Sequence, residues 1–244
     1  MLYSASFYTD RREATKLAAE TVLGLVRNLR PFSSVIDVGC GTGTWLTTAS
    51  QLGAERLVGL EGPWVKPGML DSSKIDFIAT DLSKPLPINQ TFDLAISLEV
   101  AEHLPASRAV SLVDELCGLS DTVLFSAAVP NQRGTGHINE QWQSYWAELF
   151  AAHGYTPVDC IRPQIWGKEN IPAWYKQNSI LYVKGPSPAV EAGMGALDLI
   201  HPYYLMRAPD LRYCVSMAVK IPAALGSAIR KRLVRARLRA AGRS

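Results

Sequence analysis

Along the chain, short apolar runs alternate with longer stretches in which apolar residues recur every three to four positions. The first periodic stretch, roughly Glu13 to Leu29, sets Leu17, Ala18, Val22, Leu23 and Val26 on one helical face. It stops ahead of Pro31, which disfavours helix in the residue before it. The first apolar run follows at once as Ser34-Val-Ile-Asp-Val38, and others come at Arg56 to Leu60, Ile75 to Ala79, Phe92 to Ser97 and Thr122 to Ala127. Behind each lies a loop and a helix-like stretch, the pattern of a parallel sheet covered on both faces. Tyr155 to Ile161 and Ser179 to Val183 supply two late strands, separated by a polar insertion that carries Trp166, Trp174 and Tyr175. The pattern predicts a doubly wound, mostly parallel α/β sheet of seven strands. No internal repeat interrupts it.

With 244 residues and 48% hydrophobic content, the chain can bury one substantial core and still carry an appendage. The expected division is a sheet domain over residues 1–185 and a C-terminal extension over 186–244. No apolar run reaches the ~18 residues of a membrane span. Asp10, Arg11, Arg12 and Glu13 stand where a signal peptide would need an apolar stretch, so a cytoplasmic location is expected. Cys40, Cys117, Cys160 and Cys214 are scattered without a CxxC pair, which points to reduced thiols.

The net charge of +3 hides a division. Through Asp210 there are 16 Lys and Arg against 22 Asp and Glu, a net of −6; beyond it come nine basic residues and no acid. An acidic body makes nucleic acid an unlikely partner for the catalytic face. The basic tail, with Ile229, Leu233 and Val234 at helical spacing beside Arg230, Arg235 and Arg237, suits a surface helix. Peripheral contact with an anionic membrane, self-association and a solvated end all remain open for it.

Chemistry concentrates where open α/β sheets place their ligands, at the carboxyl ends of the strands. The first strand ends in Asp37-Val-Gly39-Cys40-Gly41-Thr-Gly43-Thr-Trp45. Glycines here allow a tight turn and a close ligand approach, and the following helix offers its first amides to an anion. The dinucleotide fingerprint G-x-G-x-x-G/A would need Gly or Ala at position 44, where this chain has Thr44, and no G-K-[ST] follows the glycines. Cys40 reads as a small residue tolerated beside a cofactor rather than a nucleophile.

Val35-Ile-Asp-Val-Gly-Cys-Gly-Thr-Gly43 resembles motif I of the class I S-adenosylmethionine-dependent methyltransferases. The resemblance implies the Rossmann-like methyltransferase fold, with antiparallel late strands, and covers roughly Tyr8 to Val183. It implies S-adenosyl-L-methionine as cofactor, its methionine portion held by Asp37, Gly39, Cys40, Gly41 and Gly43. Glu61, about 20 residues beyond the loop, then falls to the ribose hydroxyls, where a carboxylate accepts two hydrogen bonds. Asp81 in Ala79-Thr-Asp-Leu82 resembles the adenine-contacting position; Leu82 and Leu98 are expected beside it. Tyr8, Trp45 and Trp64 are further candidates near the ligand, although large aromatics more often belong to a core.

The fourth unit reads Phe92-Asp-Leu-Ala-Ile-Ser-Leu-Glu99-Val-Ala-Glu102-His103-Leu104. A helix starting near Glu99 would put Glu99, Glu102 and His103 on one face, where they can bind a divalent cation or scaffold the cofactor site. Oxygen ligands favour magnesium; imidazole admits manganese or zinc. After the fifth strand, Asn131-Gln-Arg-Gly-Thr-Gly-His137-Ile-Asn-Glu140-Gln-Trp142 can bring His137 over the same crevice, with Glu140 opening the next helix. The expected metal set is therefore Glu99, Glu102, His103 and His137, and the catalytic set His137, Glu102 and His103, with His137 as ligand or general base. The E-x-x-E-H set with a later His is similar to that of small-RNA 3′-terminal ribose methyltransferases; its first part resembles ubiquinone-biosynthesis O-methyltransferases. Gly134-Thr-Gly-His-Ile-Asn-Glu-Gln-Trp142 resembles bacterial methyltransferases of saccharide pathways. His153, before Gly154, suits a helix end, and His201 a turn.

Three readings follow. The leading one is methyl transfer to a hydroxyl of a small molecule, a saccharide or another vicinal-oxygen acceptor, with or without a metal. The others are an RNA-terminal ribose methyltransferase and a noncatalytic cofactor-binding scaffold, the last disfavoured by intact glycines and acids.

Overall fold

A computed structural model describes residues 5–185 and 197–205, with side chains from Arg12 onward. Backbone packing divides the chain into two units, Met1–His201 and Pro202–Ser244; in the second, the described residues form one helical turn, Pro202–Leu205. The expectations for Tyr8, Cys214 and the basic tail lie outside the described side chains.

In the first unit every apolar run becomes a strand of one sheet, in the order β3-β2-β1-β4-β5-β7-β6. The strands are β1 (Ser34–Val38), β2 (Arg56–Glu61), β3 (Asp76–Ala79), β4 (Leu94–Leu98), β5 (Thr122–Ser126), β6 (Tyr155–Val158) and β7 (Ile180–Lys184). The first five pair in parallel, and β7 runs antiparallel to both β5 and β6, as the resemblance implied. The chain order reverses between β1 and β4, which opens the crevice at their carboxyl ends.

Both faces of the sheet are buried because successive residues of each strand point to opposite sides. Leu94 and Ile96 of β4, Leu124 of β5 and Leu181 of β7 enter one cluster with α1 (Ala5–Leu29) and α2 (Thr44–Gln51). Ala95, Val123, Phe125 and Tyr182 enter the other, with α3 (Ala109–Leu119) and α4 (Gln143–Ala151). Two short helices, α5 (Arg162–Ile165) and α6 (Ala173–Asn178), form the insertion before β7.

Boundaries shift where polar groups take over. Helix α1 extends to Ala5, beyond the apolar stripe that suggests Glu13. Strand β4 begins at Leu94 rather than Phe92, because Asp93 leaves the ladder to staple β1: one carboxylate oxygen accepts from the amides and hydroxyls of Ser33 and Ser34. These bonds hold the Asp93 carboxyl down, to about 2. Strand β6 stops at Val158, since Asp159 turns to grip the buried Arg162 with both oxygens at 2.8 Å. Residues 197–201, expected in the extension, belong to the first unit: Ser144 at the start of α4 donates its amide and hydroxyl to Asp198, and Arg162 donates to the Leu197 carbonyl at 2.7 Å.

Candidate active site

The loop from β1 to α2 has three residues with left-handed backbone, Gly39 (φ 92°), Gly41 (φ 54°) and Gly43 (φ 83°). A Cβ on Gly39 would stand 2.2 Å from a methyl of Val100, and one on Gly43 would stand 2.3 Å from Ile75. Both requirements are steric as well as conformational. Gly39 and Cys40 donate their amides to the Leu60 carbonyl at 2.8 and 3.1 Å, which locks the loop against β2. Glu61 is the last residue of that strand; its oxygens accept from the amides of Gly41 (3.1 Å) and Gly62 (2.7 Å). Burial raises its pKa, and the two amides oppose the rise.

Asp37 is 2% exposed, and one of its oxygens has no hydrogen-bond partner. Burial, then the neighbouring Glu61, pushes its carboxyl well above the ordinary range. An unsatisfied buried carboxylate oxygen is costly, and a cationic or hydrogen-bonding ligand group would relieve it. The Cys40 thiol is buried and raised by burial, then by Asp37 and Glu61, which removes the thiolate a nucleophile would need. Asp81 lies at the solvent edge: Ser83 donates amide and hydroxyl to one of its oxygens and holds its pKa down. Leu82 and Leu98 are largely buried among the core side chains. Trp64 is partly exposed and folds over Gly62, where a Cβ would stand 2.0 Å from its ring. Trp45 is core, packed edge-on against Tyr175 at 5.3 Å; Trp174 lies beside Tyr175 at 5.8 Å, and Trp166 stacks at a tilt on His201. A cleft of about 310 Å³ between α1 and α2 has balanced charge, with Arg12 paired to Asp71 at 3.0 Å.

At the end of β4 the structure corrects the expected helix. Glu99 has a left-handed backbone (φ 57°), and only a 3₁₀ turn, Ala101–His103, follows. Glu99 therefore does not share a helical face with Glu102 and His103. Its two oxygens accept from Asn178 and Gln132, each at 3.0 Å, and it stands outside the group formed by Glu102, His103 and His137. Candidate ligand atoms of those three lie within 4.8 Å of one another.

Glu102 is fully buried, and neither carboxylate oxygen has a hydrogen-bond partner. Burial, reinforced by Glu99, pushes its carboxyl well up, although the nearby amides of Glu102 and Ala128 oppose the rise. Its carbonyl accepts from the amides of Ile138 (2.8 Å) and Asn139 (3.0 Å), which lays the loop after β5 across the site. The imidazoles of His103 and His137 meet edge to face at 4.9 Å. His103 Nδ1 contacts the Gly136 carbonyl at 3.3 Å, and His137 Nδ1 contacts Glu140 at 2.9 Å. With hydrogens on both Nδ1 atoms, this is the outer-shell pattern that orients ligating histidines. Burial, then His137, lowers the His103 pKa. Burial alone would raise Glu140; its bonds with His137 and the amides of Asn131 and Arg133 outweigh that and hold it below the usual value.

Glu140 was expected to open a helix, but α4 begins at Gln143 and Glu140 instead orients His137. Nothing in its spacing signals this, because the contact depends on Asn131 (φ 70°) and Arg133 (φ 66°) folding the loop back. Asn131 is a residue that tolerates such backbone; Arg133 is not. Gln132, Gln177 and Asn178, the buried amides around Glu99, carry no sequence signal either. Helix α4 ends at Ala151 with Ala152 as its cap, so His153 lies just beyond it, its amide donating to the Phe150 carbonyl at 3.0 Å ahead of Gly154 (φ 78°).

Comparison with known proteins gives three findings. The profile of a family described as methyltransferase domain matches residues 10–158. Ribosomal RNA large subunit methyltransferase E of Desulfatibacillum aliphaticivorans is 26% identical over 156 residues, 59% of this chain and 73% of that protein. Among solved structures, magnesium protoporphyrin IX methyltransferase (ChlM) from Synechocystis PCC 6803 with bound SAH superposes with a TM-score of 0.50 at 18% identity, over 72% of this chain and 86% of the other. An O-methyltransferase family protein from Burkholderia thailandensis gives 0.54 at 12% identity, over 75% and 59%.

Proposed function

The chain belongs to the methyltransferase domain family, as a class I S-adenosylmethionine-dependent methyltransferase, and we propose that it methylates a hydroxyl oxygen, most readily that of a saccharide or another vicinal-oxygen small molecule. The observation that carries this reading is Glu102, fully buried with both oxygens unpartnered, beside two imidazoles at the carboxyl edge of the sheet.

The residues at the glycine loop fit the cofactor. The turn excludes any Cβ at Gly39 and Gly43, Asp37 keeps an unsatisfied oxygen for the methionine portion, and Glu61 is fixed by backbone amides for the ribose. Asp81 in its present rotamer accepts from the Ser83 amide and hydroxyl with one oxygen, which leaves its other oxygen for the adenine. The bound cofactor supplies an electrophilic methyl group. The chain's task is to align an acceptor oxygen in line with it and to remove one proton.

An alkyl hydroxyl holds its proton too tightly to react unaided at neutral pH, and His137 answers this need. With its Nδ1 hydrogen on Glu140, its Nε2 lone pair takes the acceptor's proton as the new carbon–oxygen bond forms and the carbon–sulfur bond breaks. Alternatively, that Nε2 lone pair is a ligand rather than a base: Glu102, His103 and His137 fit a divalent cation, because an orphaned carboxylate and two oriented imidazoles are the donor set such ions take. With Glu99 engaged elsewhere, one carboxylate and two imidazoles favour manganese or zinc over magnesium. A bound cation supplies acidity to the acceptor hydroxyl.

The ribosomal RNA methyltransferase relative favours a second reading, an RNA hydroxyl as acceptor. The acidic body counts against it. The deciding experiment is calorimetric titration of S-adenosylmethionine, then transfer of labelled methyl to saccharide, catechol and RNA panels with and without manganese. We expect cofactor binding, saccharide product, and loss of turnover but not of cofactor binding in His137→Ala. RNA as the sole acceptor would replace the first reading with the second, and no cofactor binding would sink both.

A further inference from the structure

Glu99 is held by a chain of buried amides whose far end lies in residues 197–201. His201 donates its backbone N–H to Gln177 Oε1 at 2.7 Å; Gln177 Nε2 donates to Gln132 Oε1 (2.8 Å) and Asn178 Oδ1 (3.1 Å). Asn178 Nδ2 and Gln132 Nε2 then donate to the two oxygens of Glu99, at 3.0 Å each. The side-chain orientations are determined rather than arbitrary. Gln177 must present oxygen to a backbone N–H, Gln132 must present oxygen to the Val129 N–H, and both amides facing Glu99 must present nitrogen to a carboxylate. Donors thus run in one direction, from the C-terminal segment toward the site, an arrangement in which each bond polarises the next. All three amide side chains are buried, so breaking the chain strands groups that water cannot reach.

The segment is fastened independently at its other positions. Asp198 accepts from the Ser144 amide and hydroxyl at 2.8 Å and so caps α4 from outside the helix, and Gln143 donates to the Leu199 carbonyl at 3.0 Å. We propose that residues 197–201 complete the acceptor side of the site: acting through Gln177, Asn178 and Gln132, they fix the Glu99 carboxylate and the loop 129–140 that carries His137. These are positioning residues. The role of that loop in catalysis rests on the function proposed above; the coupling itself does not.

Hydrogen exchange of the full chain tests the coupling without any acceptor. Asp198→Ala should release residues 197–201 and speed exchange in residues 129–140 by about tenfold, leaving residues 34–51 unchanged. Cofactor affinity should stay within about twofold, while Asp198→Asn, which keeps an oxygen for Ser144, should restore protection. If 197–201 open while 129–140 stay protected, the proposal is overturned. If Asp198→Ala leaves 197–201 closed, Gln177→Leu cuts the chain directly, and an unchanged 129–140 segment there overturns it equally. Failure of the wild type to bind cofactor would sink the methyltransferase site assignment while leaving the exchange result intact.

Discussion

Asp37 and Glu102 are carboxylates placed where the fold alone gives them poor company. Each is buried, each keeps an oxygen without a partner, and burial raises both pKa values. A carboxyl whose folded pKa lies above its unfolded one stabilises the fold below the unfolded value, and that contribution is lost as pH rises through the folded value. The ligand-free protein should therefore gain stability on acidification from neutral pH toward 4.5. Asp37→Asn should raise the melting temperature at pH 7 by about 2–4 °C and weaken S-adenosylmethionine binding about tenfold or more. The thermal gain should shrink as pH falls, and scanning calorimetry at three pH values checks it. Gly134 makes a second case: a Cβ there would stand 1.9 Å from His137 Nε2. Gly134→Ala should displace the imidazole and lower turnover about tenfold or more, with cofactor affinity unchanged, as parallel kinetics and calorimetry would show.

At the scale of elements, the strands and the glycine turn were legible because burial on both faces and left-handed backbone leave plain marks on sequence. Val35 to Val38 could be read as a buried strand from apolarity broken only at Asp37, and Gly39, Gly41 and Gly43 as a tight turn of left-handed backbone. The acceptor side was legible only in part. The structure brings Glu102 and His103 together with His137, but the expected helix from Glu99 failed because one left-handed residue redirects the chain, and apolar periodicity does not register a single φ. Gln132, Gln177 and Asn178 were invisible because amide networks have no period. Asp93 acts at the opposite, amino edge of the sheet, stapling β4 to β1. Its depressed pKa gives stability that is present above the unfolded value and lost as pH falls through about 2. Asp93→Asn should cost about 1 kcal/mol in urea denaturation at pH 7, after allowance for solvent screening, and leave cofactor binding alone.

For the molecule as a whole, the division of charge remains the feature with most to say about surroundings. Residues beyond 210 carry nine Lys and Arg and no acid, against a net of −6 before them. No helix among the described residues is long and apolar enough to cross a membrane. The full chain should sediment with vesicles rich in anionic lipid at low salt and be released near 0.5 M salt, on the order of a 4 Å screening length. Replacing Arg232, Arg235, Arg237 and Arg239 with Gln should abolish sedimentation; retention by that variant would place the attraction elsewhere.

The antiparallel run of β7 sets an order in time as well as in space. Because it enters the sheet from the carboxyl edge, the end of α6 just before it brings Asn178 to Glu99, which left the ribosome some eighty residues earlier. The glycine loop and Glu61 draw on β1 to β4 and on Val100 just past it, whereas Glu99 waits for residue 201. During synthesis the donor pocket is therefore ready long before the acceptor side, and a nascent chain halted at Val183 should already hold S-adenosylmethionine while remaining unable to spend it.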